Sequence, residues 1–114
     1  MKLYSWNVNG IRAVINKGTF QQFIADHQPD ILCLQETKAK QGQAEIDLPE
    51  YHEYWNSAEK AGYSGTAIFT KIKPLSVING FTDDIATKFG LADDGYGDPN
   101  KEGRVISAEF DDFW

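Results

Sequence analysis

Residues 30–36 read Asp-Ile-Leu-Cys-Leu-Gln-Glu (DILCLQE), and the fold turns on this run. Ile31, Leu32, Cys33 and Leu34 form an unbroken apolar stretch too short for a helix, which predicts a strand buried on both faces. Pro29 separates it from an upstream helical stripe of Phe20, Phe23 and Ile24. That helix is expected to begin at Thr19, with Gln22 three residues later in a capping-box arrangement, and His27 is expected to cap its end. Further back, Lys2 to Val8 (KLYSWNV) alternates and is rich in aromatics, the pattern of a strand, and Asn9-Gly10 breaks it.

Strand, helix and strand follow one another within about 35 residues, the length of a βαβ crossover with parallel strands. Both strands of such a unit finish at one edge of the sheet, and ligands bind outside their carboxyl ends. Asn7 near the end of the first strand and Glu36 at the end of the second are thereby expected at one edge, though 29 residues apart in sequence. A hard cation such as Mg²⁺ prefers amide and carboxylate oxygens of this kind. A Glu at a strand end, such as Glu36, is more often a solvated cap than a ligand, and Asn7, like Asn9, reads equally as a turn cap.

Downstream, His52 to Ser57 (HEYWNS) and Thr66 to Lys71 (TAIFTK) are expected as two strands joined by Ala58 to Gly65 (AEKAGYSG). Pro74 to Ile78 and Arg104 to Phe110 also have strand character. Phe81 to Gly103, polar, acidic and glycine-rich, is expected as an excursion from the sheet. Within the 58–65 connection, Gly62-Tyr63-Ser64-Gly65 reads either as a plain hairpin turn or as a loop whose amides and Tyr63 touch a nucleic-acid backbone. Arg12, Lys17 and Lys38 lie near the same expected edge, as phosphate contacts or as unpartnered surface cations.

The 114 residues fit one domain, 1–114, able to bury a real core. A single cysteine, Cys33, excludes an internal disulfide and reads as core rather than nucleophile. No apolar run nears the ~20 residues of a membrane helix, and no signal peptide follows Met1, so a cytoplasmic protein is expected. The net charge of −6 is local: residues 1–82 hold eight acidic and eight basic side chains, whereas 83–114 hold nine acidic and three basic. The average charge therefore does not exclude nucleic acid as a partner. His27 and His52 have no nearby Ser or Cys with a carboxylate, no Cys/His zinc spacing occurs, and there is no Walker loop.

Four segments together, Ser5–Ala13 (SWNVNGIRA), Pro29–Lys38 (PDILCLQETK), Gly62–Lys71 (GYSGTAIFTK) and Glu102–Phe110 (EGRVISAEF), resemble in order and spacing the exonuclease III type of the endonuclease/exonuclease/phosphatase superfamily, the abasic-site endonucleases. The resemblance implies the amino-terminal part of a four-layer α/β sandwich: one mixed sheet with a flanking helix, the second sheet largely absent. It implies Mg²⁺-dependent (Mn²⁺ is an alternative) hydrolysis of DNA phosphodiesters in base-excision repair, on double-stranded DNA with abasic sites or 3′ ends. Carried over by resemblance, Asn7 and Glu36 belong to the metal cluster, and Arg12, Ala13, Lys17, Lys38, Gly62 and Tyr63 fall where the family touches DNA. Asn9 stands where some members have Asp.

The family's catalytic Tyr, its Asp with Asn, and its Asp-His pair would lie past Trp114, so the chain is expected to be cut and inactive alone. Its partner would then be the missing carboxyl-terminal half, or a second copy docked on an exposed sheet face. A relative acting on lipid or nucleotide phosphoesters is the alternative; the Gly62–Gly65 loop and Ile11-Arg12-Ala13 favour the DNA branch.

Overall fold

The computed structural model describes residues 1–91 and 98–114. The elements in chain order are β1 (Leu3–Asn7), α1 (Ile11–Asn16), α2 (Thr19–His27), β2 (Ile31–Gln35), β3 (His52–Asn56), β4 (Thr66–Thr70), β5 (Ser76–Asn79), α3 (Asp83–Phe89) and β6 (Ile106–Glu109), with a single 3₁₀ turn at Pro99–Lys101. Four strands form one mixed sheet in the order β1-β2-β4-β3, and β5 and β6 pair separately. The expected α/β architecture, one mixed sheet with a flanking helical layer, is what forms.

The crossover behaves as its length requires. β1 and β2 run parallel, with Leu3 opposite Ile31 and Asn7 opposite Gln35. β4 is antiparallel to both β2 and β3, so the β3–β4 connection is the hairpin read from the sequence. β2 is buried on both faces because each face has its own cover. Leu32 and Leu34 meet Phe20 and Ile24 of α2 together with Phe69 and Trp55, whereas Ile31 packs with Ile68, Ala108 and Phe110. Aromatic edges knit the first layer: Tyr4 meets Phe23 edge-on at 5.3 Å, and Phe20 meets Phe69 at 5.8 Å. Burying each such side chain stabilises by about 1.5–3 kcal/mol.

Several local expectations are corrected. Asn9-Gly10 does break the first strand, but the segment after it, Ile11–Asn16, is a helix that the pattern did not announce. Its start is fixed from outside: the amides of Gly10 and Ile11 donate to the carbonyls of Glu36 and Thr37 at 2.7 and 2.9 Å. Thr19 does not cap α2. It is the first helical residue, Gly18 in a left-handed conformation precedes it, and Gln22 donates along the helix to Asp26 at 2.8 Å. His27 is the last helical residue and Gln28 follows as the cap. The ring of His27 packs on Tyr4 and Phe23 instead.

Part of the acidic excursion is ordered. α3 carries Asp83 and Asp84 in its first turn and Lys88 in its last, complementing the helix dipole, and left-handed Gly90 ends it. Residues 92–97 of that excursion lie outside the described residues. The expected strand at 74–78 forms at Ser76–Asn79, shifted by the buried Pro74, which has no amide hydrogen for a ladder. Paired with β6, it covers only part of the sheet's second face. Leu3 remains 62% exposed there, and an open cleft of about 380 Å³ runs between Leu3, Ile31, Cys33, Ile68, Phe110 and Trp114. Among the described residues, no helix is long and apolar enough to cross a membrane.

Candidate functional site at the carboxyl edge of the sheet

The register aligns Asn7, Gln35, Thr66 and Asn56 across all four strands. Residues in register share a face, so this row is a polar margin on the second face of the sheet, next to the apolar rows behind it. Ser5 Oγ donates to Gln35 Oε1 at 3.3 Å, and the Thr66 hydroxyl is buried without a partner among the described residues. Glu36 is the next residue after Gln35. The crossover therefore brings Asn7 and Glu36 to one edge, on neighbouring strand ends.

Past the strand ends the backbone is held in an uncommon shape. Among the described residues, five non-glycine positions have positive φ, and four of them are here: Asn9 at 46°, Glu36 at 53°, Lys38 at 52° and Ser64 at 50°. Each costs of the order of 1 kcal/mol, with Asn tolerating it best. The tertiary hydrogen bonds explain why the cost is carried. Segment 36–38 bridges two neighbours at once: its carbonyls accept from Gly10 and Ile11, while the amides of Thr37 and Lys38 donate to Gly65 and Ser64 at 3.1 and 2.8 Å. Strain concentrated at one edge is a mark of a functional site.

Side chains complete the edge. The Asn9 amide donates to Asn7 Oδ1 at 3.1 Å, which leaves that oxygen a second lone pair. Lys38 Nζ donates to Asn9 Oδ1 at 2.6 Å, and Arg12 donates to the Lys38 carbonyl at 3.1 Å. The half-buried Glu36 carboxylate accepts no hydrogen bond among the described residues. Gly62 and Tyr63 sit on the β3–β4 loop, which is tied to Lys38 through Ser64 and lines a small cleft together with Ala39, Lys40 and Gln43.

Of the residues singled out from the sequence, Asn7, Glu36, Arg12 and Lys38 thus lie at this edge, and Gly62 and Tyr63 stand on the adjoining loop, next to the Ser64 tie to Lys38. Ala13 is exposed on α1, its carbonyl accepting from the Lys17 amide. Lys17 caps the far end of α1, beside Thr19, Gln22 and Asp26, and makes no side-chain hydrogen bond to the others among the described residues. The reading of the sequence missed Arg104, which donates to the Tyr63 hydroxyl at 2.8 Å, and Lys60, whose Nζ lies 5.2 Å from the Tyr63 ring. Arg104 stood inside the fourth quoted segment, 41 residues from Tyr63, and Lys60 three residues before Tyr63, but neither residue type by itself marks a pairing with that ring.

The donor set at this edge, one amide oxygen and one carboxylate, fits a hard divalent cation in kind and falls short of a full shell. Among the described residues, no three His, Cys, Asp or Glu side chains cluster to hold a metal.

A mixed α/β sheet with a strained, polar carboxyl edge agrees with what comparison shows. Residues 4–108 match the Endonuclease/Exonuclease/phosphatase family, and the chain belongs to it. It is 47% identical over 111 residues to an exodeoxyribonuclease of Bacillus subtilis (strain 168), covering 97% of this chain and 39% of that protein. It is 43% identical over 119 residues to the DNA repair nuclease APEX1 of Danio rerio, covering 100% of this chain and 34% of that protein. Among solved structures, the Xenopus laevis APE2 catalytic domain is similar with a TM-score of 0.73 at 28% identity, over 93% of this chain and 38% of that one. A 3′-5′ exonuclease from Neisseria meningitidis gives 0.63 at 30% identity, over 95% and 37%. The chain spans well under half the length of the relatives it matches.

Proposed function

We propose that this chain supplies the cation-binding and backbone-binding edge of a divalent-metal-dependent DNA phosphodiesterase. Its substrate would be duplex DNA carrying abasic sites or 3′ ends. The observation that carries the reading is the convergence of Asn7 and Glu36 on neighbouring strand ends, rimmed by Arg12 and Lys38 and by the Gly62–Tyr63 loop. The names of the relatives, an exodeoxyribonuclease and a DNA repair nuclease, support the substrate class.

Asn7 Oδ1 and the Glu36 carboxylate would hold the cation, Mg²⁺ or Mn²⁺. A bound divalent cation supplies neutralisation of charge on a phosphate and its leaving oxygen. The chain's own residues do the rest of what this edge offers. Lys38, anchored on Asn9, keeps a positive charge beside Glu36 without pairing to it. Arg12, Gly62 and Tyr63 would seat backbone phosphates, and seating reacting groups correctly is itself worth several kcal/mol. With two oxygen ligands and no general base beside them, the 114 residues are expected to bind Mg²⁺ weakly and to be inactive alone.

The test is Mg²⁺ titration by calorimetry on the chain and on Glu36→Gln, with a nicking assay on abasic duplex. Weak binding abolished by Glu36→Gln, and no nicking, is the expected result. Equal binding by the variant ends the metal reading, and efficient nicking by the chain alone ends the claim of inactivity.

A second property of the chain rests on the open second face. The exposed Leu3 and Trp114, at the rim of the cleft over the buried Ile31, Ile68 and Phe110, leave apolar surface that seeks cover. Concentration-dependent self-association in sedimentation is expected, and a monomer across the accessible range counts against it.

A further inference from the structure

Tyr63 is the only aromatic residue of the 58–65 loop and is 37% exposed. Within its own loop the ring meets the Lys60 ammonium at 5.2 Å, with Gly62 before it at φ 67° and exposed Ala61 before that. The hydrogen bond to its hydroxyl comes from 41 residues away. The Nη2 of Arg104 donates to the phenolic oxygen at 2.8 Å, and the guanidinium carbon lies 5.6 Å from the ring centroid. Arg104 is braced in turn, 3.7 Å from Glu102, whose Oε2 is buried and has no hydrogen-bond partner among the described residues.

The platform beneath Arg104 is tied to the base of the same loop. The Glu59 amide donates to the Lys101 carbonyl at 2.9 Å, and Asn56 Nδ2 donates to the Val105 carbonyl at 2.7 Å. Gly103 lies so close to the 56–58 backbone that a Cβ there would meet the Asn56 carbonyl oxygen at 2.8 Å. Arg104 therefore reaches Tyr63 from a fixed base.

The chemistry of a phenol decides what this does. Its oxygen both accepts and donates, with a single hydrogen to give. Because Arg104 occupies the accepting side, the hydrogen remains free for an acceptor in solvent. A cationic donor on the same oxygen polarises the O–H and strengthens it as a donor. An anionic oxygen is the acceptor such a group favours.

We propose that Arg104, braced by Glu102, is a positioning residue that fixes the Tyr63 ring and directs its hydroxyl hydrogen to a phosphate oxygen of bound nucleic acid. The proposal rests on the edge being a nucleic-acid surface, as inferred above. It differs from a direct Arg104–phosphate contact, which would draw the guanidinium away from Tyr63.

The test is fluorescence anisotropy with a labelled duplex containing a tetrahydrofuran abasic analogue, over a series of salt concentrations. It uses the chain and its Tyr63→Phe, Arg104→Gln, Arg104→Lys and Tyr63→Phe/Arg104→Gln variants. Each of Tyr63→Phe and Arg104→Gln should weaken binding roughly tenfold, the double variant should be no weaker than the poorer single, and the salt slope should stay unchanged. Arg104→Lys, which keeps the charge and loses the planar fork, should recover only part of the loss. Additive losses, or a slope shallower by about one for Arg104→Gln, overturn the proposal, because they signal a direct phosphate contact.

If the unaltered chain fails to bind the duplex, the nucleic-acid reading of the edge falls with that result. The positioning claim is then decided on the free protein by NMR. Arg104→Gln should shift the Tyr63 ring signals and loosen its side-chain order, and an unchanged ring refutes it.

Discussion

Replacing Gly65 by alanine tests why the carboxyl edge has the shape it does. Gly65 has φ 92°, outside the narrow left-handed basin that L-residues tolerate, and a side chain there costs about 1–2 kcal/mol from the backbone alone. The new Cβ would also run into Thr37 Oγ1, on a fully buried side chain with nowhere to retreat. Overpacking of that kind costs about 1–3 kcal/mol. Together the loss comes to about 2–5 kcal/mol, a large share of the ~5–15 kcal/mol by which folded domains are stable.

The assay is urea unfolding followed by tryptophan fluorescence, since Trp55 is buried on the strand paired with β4. A companion variant separates the two causes. Thr37→Ala in the Gly65→Ala background removes the clash and keeps the dihedral strain, so it should regain about 1–2 kcal/mol relative to the sum of the single changes. A Gly65→Ala loss under about 1 kcal/mol, or strict additivity in the double variant, would falsify the close approach of the two loops.

Glu36→Gly should raise stability by up to about 1 kcal/mol, because it relieves a φ of 53° at a side chain with no partner among the described residues, while abolishing Mg²⁺ binding; lower stability in the same unfolding assay counts against stored strain. Tyr51→Phe should cost about 1–3 kcal/mol, since the hydroxyl donates to the buried Pro29 carbonyl at 2.6 Å and its removal leaves that oxygen unpaired. Burial, then the Glu50 and Asp30 carboxylates, push the Tyr51 phenol above its ordinary value. Its raised pKa contributes stability that is complete below the unfolded value of about 10 and is lost as pH rises through the folded one, so Tyr51→Phe should flatten the alkaline limb of the stability curve. Burial also raises the Cys33 thiol, so disulfide reagents should label it far more slowly in the native chain than in urea; equal rates would place it outside the sheet.

The sequence by itself determined the parts that local pattern and chain length dictate. The apolar run at 31–34, the stripe Phe20-Phe23-Ile24 and the alternating Lys2–Val8 are readable because burial imposes a period on the residues that undergo it. The crossover length then sends β1 and β2 the same way, which is why Asn7 and Glu36 could be placed at one edge without coordinates. Helix α1 escaped because its six residues carry little propensity of their own, and its first turn is held by carbonyls on the far side of the crossover. The Thr19-Gln22 capping signal misled because Gly18 makes the turn before Thr19 can act as a cap.

Only the tertiary structure decided the detail of the site. Left-handed Glu36, Lys38 and Ser64 have no signature in residue type, because three strand ends sharing hydrogen bonds impose that conformation. The pairing of Arg104 with Tyr63 spans 41 residues and depends on a glycine letting two backbones touch. Periodicity records what each residue loses to solvent, whereas contacts between distant loops are fixed only when the whole sheet has set their relative positions.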